Sequence, residues 1–169
     1  VGSAEIFAFL LERGGDLSLR SPYGSSPLGL AVLYSNAEVE RAILATGWSE
    51  PGSLGVVTYP PDGISAAQSR LGVTAGAVIA NVLARSTADR LDLRIDDAIV
   101  EFNGGPIAKF EDLVAAVQKT RLGEEALVVF IREGTRREAK GPLGPRIGES
   151  FYKFKVYPLR DEKKEGNHG

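Results

Sequence analysis

Two hairpin signals on either side of one amphipathic helix restrict residues 98–140 to an antiparallel sheet with a helix laid against it. Residues 98–102 are β-rich and run into Asn103-Gly104, a pair that suits the two positive φ angles of a tight type I′ turn. Residues 110–119 place Phe110, Leu113, Val114 and Val117 at i, i+3, i+4 and i+7, which is one face of a helix. Residues 126–132 and 136–140 flank Glu133-Gly134 and read as a second hairpin. Upstream, residues 55–59 and 77–83 predict strands, while residues 65–71 and 87–91 predict short helices. Pro60-Pro61-Asp62-Gly63 is expected to break the chain after the first of these strands.

The first fifty residues have a different periodicity. Ala4-Glu5-Ile6 and Ala37-Glu38-Val39 lie 33 residues apart, as do Leu10-Leu11 and Ile43-Leu44, and Gly14 and Gly47. Both copies carry apolar residues at helical spacing and end at glycine, the residue favoured in a left-handed C-terminal cap. Between them, Ser26 is placed to cap a helix that starts at Pro27.

This spacing, with Ser26-Pro27-Leu28-Gly29-Leu30-Ala31, resembles the ankyrin repeat. Ser26 stands where that family has threonine, and Gly29 where it has histidine. The resemblance implies one complete repeat preceded by the second helix of another, belonging to a larger solenoid that begins upstream. Leu33 and Tyr34 then form either a partner-binding patch or packing against a neighbouring domain. A plain helical hairpin is the alternative for the whole segment.

Residues 52–144 resemble a PDZ domain of the circularly permuted kind that follows HtrA-like serine proteases. The carrying residues are Ser53-Leu54-Gly55-Val56, Gly76-Ala77-Val78-Ile79, the run Asp96 to Gly104, and Phe110-Glu111-Asp112-Leu113. Asp92 and Asp96 replace glycines common in the family; aspartate tolerates the left-handed region better than most residues. The resemblance implies a carboxylate-binding loop at Ser53, Leu54, Gly55 and Val56. It also implies a peptide groove bounded by Val57, Thr58, Phe110, Val114 and Val117. Leu54, Val56, Val114 and Val117 would take an apolar last side chain of the ligand. Phe110 either reads the residue two before the end or belongs to the core. The run Asp96 to Phe102 also resembles, over a short stretch, the PDZ-bearing assembly chaperone of the proteasome regulatory particle.

Little else in the chain suits catalysis. There is no cysteine, and His168, the only histidine, lies in a mixed-charge tail. A serine–histidine–aspartate triad therefore has no rigid histidine to use, and thiolate or His/Cys zinc sites have no ligands. The net charge of −2, with no basic stripe, argues against nucleic acid. Asp92, Asp96, Asp97 and Glu101 do not have the spacing of a calcium loop and read as turn chemistry and solvated strand ends.

The sequence thus predicts an α+β, two-domain chain: an ankyrin solenoid fragment over 1–48 and a PDZ β-sandwich with two or three helices over 49–144. An extra strand over 145–160 and a disordered tail over 161–169 follow. The short linker at 48–52 predicts docked domains with Trp48 in or near the interface. The expected function is that of a non-catalytic adaptor without cofactor or metal. Its groove binds apolar C-terminal peptides by strand addition, and its ankyrin face binds a second protein; neither nucleic acid nor membrane insertion is expected. The regulatory PDZ portion of an HtrA-like protease and a proteasome assembly factor are the alternatives. A cytoplasmic setting is expected.

Overall fold

The computed structural model describes residues 2–59 and 61–148. The expected strand within 145–160 lies, from residue 149 onward, outside the described residues, as does the expected tail at 161–169.

Three short helices open the chain: α1 (Ser3–Glu12), α2 (Pro27–Leu33) and α3 (Ala37–Ala45). Each start has a local chemical cause. The Glu5 carboxylate accepts the Gly2 amide at 2.9 Å. The Ser26 hydroxyl accepts the Gly29 amide at 2.9 Å, and Asn36 Oδ1 accepts the Val39 amide at 3.1 Å. These bonds satisfy donors that a first helical turn leaves unpaired. Gly14 and Gly47 carry φ of +88° and +75° just past the ends of α1 and α3. Leu28, Ala31 and Ile43 are buried between the helices, with Phe7, Leu17, Val39 and Trp48 packed around them. Leu122, from the far side of the sequence, completes this cluster, so Trp48 sits beside the seam between the two parts of the molecule. Three helices, not a solenoid, are what the described residues 2–48 hold.

The remaining elements are β1 (Val56–Thr58), α4 (Pro61–Leu71), β2 (Ala77–Val82), α5 (Thr87–Arg90), β3 (Ala98–Phe102), β4 (Gly105–Pro106), α6 (Phe110–Gln118), β5 (Glu125–Arg132) and β6 (Thr135–Pro142). The sheet runs β1-β2-β3-β5-β6 with β4 added on β3, and the pairings are antiparallel. Helix α4 begins at Pro61 instead of 65, because proline suits the first turn of a helix even where its neighbours read as a break. Asn103 and Gly104 take φ of +48° and +79°, as the hairpin requires. Asp92 and Asp96 hold φ of +54° and +69°, so both turns survive without glycine.

Alternation along β2 and β3 sends neighbours to opposite faces. Ile79 and Ile99 enter the main core with Phe102, Leu113 and Phe130. Val78 and Ala98 pack instead against Ala67 of α4. Both faces of the central strands are thereby covered. One edge of the sheet is β1, whose outer side has no partner strand among the described residues. No helix among the described residues is long and apolar enough to cross a membrane.

Leu33 is buried at 3% exposure, whereas Tyr34 is 66% exposed. The expectation of a joint Leu33–Tyr34 surface patch is therefore corrected: the apolar end of α2 turns inward, and Tyr34 alone reaches the surface.

Candidate functional site

The site is built around the segment that joins the helices to β1. The Gly52 amide donates to Thr120 O at 2.9 Å and the Ser53 amide to Gly144 O at 2.9 Å. The carbonyls of Ser53, Leu54 and Gly55 are each taken, by Thr87 Oγ1 at 2.6 Å, the Ala88 amide at 2.8 Å and the Leu83 amide at 2.9 Å. The amides of Leu54 and Gly55 donate to no acceptor among the described residues. Gly55 has φ of +77°, and a Cβ there would overlap the Ser86 side chain. A short run of amides around one left-handed residue makes a concave anion site.

This loop lines a cleft of about 1200 Å³ whose apolar walls are Val56, Leu83, Phe110, Leu113, Val114 and Val117. The structure thus brings together Ser53, Leu54, Gly55, Val56, Phe110, Val114 and Val117. Leu54 is buried at 3% and anchors the loop in the core. Phe110 does both jobs left open by its sequence position: it packs against the core cluster and faces the cleft. Val57 and Thr58 are not on the cleft wall; they pair with Asn81 and Ile79 of β2 and form the sheet edge.

The closed end of the cleft was not foreseen. Arg20, Tyr23 and Gly24 of the helical part, and Arg146, Ile147 and Gly148 after β6, line the same cavity. Glu50 ties these pieces together. Its side chain is 1% exposed and accepts the Ser26 hydroxyl at 2.7 Å, Arg20 Nη2 at 3.2 Å and the Arg146 amide at 3.4 Å. Its carbonyl accepts the Leu122 amide at 3.0 Å. The only hint in the sequence was Gly29. A Cβ at that position would overlap the carbonyl oxygen of Arg146 and lie 2.8 Å from its carbonyl carbon. Where the ankyrin pattern carries histidine, this helix carries a vacancy filled by the backbone of residue 146.

The carboxylates at the turn before β3 and within it are neutralised one by one. Asp92 pairs with Arg94 at 2.8 Å, Asp96 with Arg70 at 2.6 Å, Asp97 with Arg132 at 2.7 Å and Glu101 with Arg136 at 2.7 Å. Asp97 is fully buried, not a solvated strand end; its Oδ2 also accepts the Arg94 amide at 2.8 Å. Tyr59, at the end of β1, donates to Asp96 at 3.0 Å. Burial, and then the bond to Asp96, push its phenol above the ordinary value.

Among relatives, the probable periplasmic serine endoprotease DegP-like of Ectopseudomonas mendocina (strain ymp) is 34% identical over 116 residues, covering 68% of this chain and 24% of that protein. The probable periplasmic serine protease do/HhoA-like of Haemophilus influenzae is 26% identical over 121 residues, covering 71% and 26%. A solved structure, the HtrA-type protease AlgW with decapeptide, superposes with a TM-score of 0.50 at 26% identity, covering 69% of this chain and 36% of that one. The chain spans about a quarter of the length of the curated relatives it matches. These relatives are named periplasmic, which overturns the cytoplasmic expectation. Neither the absence of cysteine nor an ankyrin resemblance fixes the compartment, since many periplasmic chains need no disulfide. Neither the ankyrin nor the proteasome-chaperone resemblance finds support in these matches. The loop, edge strand and helix wall lie within the stretch, residues 52–143, that matches the PDZ domain family, and the chain belongs to that family.

Proposed function

We propose that the cleft binds the free C-terminus of a polypeptide, laid as an added strand on β1. The observation that carries this reading is the pair of Leu54 and Gly55 amides, which have no acceptor among the described residues, in a loop that lines an apolar cleft beside a sheet edge without a partner strand among the described residues. Main-chain bonds to the edge supply affinity, and side-chain pockets supply selectivity. Leu54, Val56, Val114 and Val117 take an apolar last residue of valine, leucine or isoleucine size, and Phe110 favours an apolar residue two positions earlier.

The relatives favour the regulatory part of an HtrA-type serine protease over a free-standing adaptor. On this reading the present stretch senses peptides in the periplasm and contributes binding, while peptide-bond chemistry belongs to a protease domain. The AlgW structure was solved with a decapeptide, which supports a peptide as the kind of ligand. The absence of cysteine and the single histidine, His168, support a non-catalytic role for this stretch.

The test is a titration of the 169-residue chain with a decapeptide ending in valine and with its C-terminal amide. The acid should bind at least about tenfold more tightly, since a charge-assisted hydrogen bond contributes about 1.5–3 kcal/mol. Equal binding of acid and amide would refute the assignment of the carboxylate loop.

A further inference from the structure

Among the described residues, three charged side chains line the cleft: Arg20, Glu50 and Arg146. Two of them cancel. Arg20 Nη2 lies 3.2 Å from the Glu50 carboxylate, and Arg20 Nη1 donates to Ser18 O at 2.9 Å and Leu19 O at 3.0 Å. The Glu50 side chain, 1% exposed, is further quenched by the Ser26 hydroxyl. Arg146, exposed where it lines the cleft, has no carboxylate partner among the described residues. Its Nε donates to Gly24 O at 3.1 Å, whereas its Nη atoms have no acceptor among the described residues.

Arg146 is held there by bonds on its own backbone. Its carbonyl accepts the Ser26 amide at 3.0 Å, and its amide faces Glu50 at 3.4 Å. Two residues on, the Gly148 amide donates to Ser25 Oγ at 2.8 Å. Glycines 29 and 148 make the close crossing possible: a Cβ on Gly148 would overlap the Tyr23 carbonyl oxygen, and one on Gly29 the Arg146 carbonyl oxygen. The guanidinium is thus aimed by the helical part of the molecule and by the strap after β6, both beyond the stretch matched to the family.

We propose that Arg146 is a specificity-determining residue for the terminal carboxylate of the bound peptide, acting beside the Leu54 and Gly55 amides. This rests on the carboxylate reading of the cleft and adds a side-chain charge to it. A guanidinium paired with a carboxylate forms stronger, shorter bonds than neutral donors do. The helical part therefore belongs to the peptide site as the element that orients this arginine.

The experiment measures the acid-to-amide affinity ratio for the same decapeptide with wild type, Arg146→Gln and Arg146→Lys in the 169-residue chain. Expected is a loss of about tenfold or more in acid binding for Arg146→Gln, an unchanged amide affinity, and partial recovery in Arg146→Lys, as removal and restoration of one charged partner imply. The ratio in wild type should also fall as salt rises. If wild type prefers the acid and the ratio is the same in both variants, the proposal is overturned while the carboxylate reading stands. If wild type shows no preference, both are overturned. Equal loss of acid and amide binding would assign Arg146 a packing role and overturn the proposal. So would an effect confined to an amidated peptide with glutamate as its last residue, since the arginine would then read a side chain. Should Arg146→Gln not fold, Arg146→Lys and the salt series carry the same decision.

Discussion

Replacing Gly29 with alanine sets helix propensity directly against tertiary packing. Gly29 is the third residue of α2, and from propensity alone alanine should stabilise the protein by up to about 1 kcal/mol. The structure reverses the sign. The new methyl group would overlap the Arg146 carbonyl oxygen and sit 2.8 Å from its carbon. These are backbone atoms that cannot rotate away. Either the strap is compressed, at the cost of about 1–3 kcal/mol typical of overpacking, or it lifts. Lifting releases the Ser26–Arg146 bond at 3.0 Å and the Gly148–Ser25 bond at 2.8 Å, each contributing about 1 kcal/mol. Net destabilisation of up to about 2 kcal/mol follows after the propensity gain is subtracted. Urea unfolding read through Trp48, the single tryptophan, reports on it because that side chain packs on the affected cluster. With a mid-range slope of about 2 kcal/mol/M, the midpoint should fall by up to roughly 1 M. A midpoint that rises would show that residue 146 does not cross α2, and the composite cleft would fall with it.

Two further outcomes are expected. Asp97→Ala leaves Arg132, 13% exposed at its side chain, without its main partner and the Arg94 amide without an acceptor, so a loss of about 3–5 kcal/mol is expected in thermal or urea unfolding; a loss under about 1 kcal/mol would contradict the burial of this pair. Tyr59, whose phenol burial and Asp96 push upward, should ionise above 10 in an ultraviolet-difference titration. The folded state favours its neutral form, so its contribution is complete below 10 and is lost as pH rises through the folded value; Tyr59→Phe should remove that part of the alkaline loss, and a Tyr59 midpoint at or below 10 would refute the placement.

Much of the local structure could be read directly. The serine cap before Pro27, the Asn103-Gly104 turn and the apolar stripe of α6 depend on neighbours within one or two turns, and each forms as its pattern predicts. The cleft wall was legible too, because Phe110, Val114 and Val117 share one helix face. The start of α4 was misread, because proline both breaks and begins helices, and the choice left open for Leu33 could not be made locally, because an apolar residue at a helix end can turn either way.

Sequence by itself determined which segments are helices and strands, and hence the groove formed by β1, the Leu54–Gly55 loop and α6. Tertiary structure alone decided that the closed end of this groove is shared. Ser26 and Arg146 meet across 120 residues, and buried Glu50 gathers bonds from Arg20, Ser26 and Arg146. Such contacts leave no periodic trace, because they depend on where two backbones cross and not on the spacing of residues along either one. Gly29 shows the limit: in the helix it is merely a poor helix former, and only the strap lying against it gives the missing side chain a purpose.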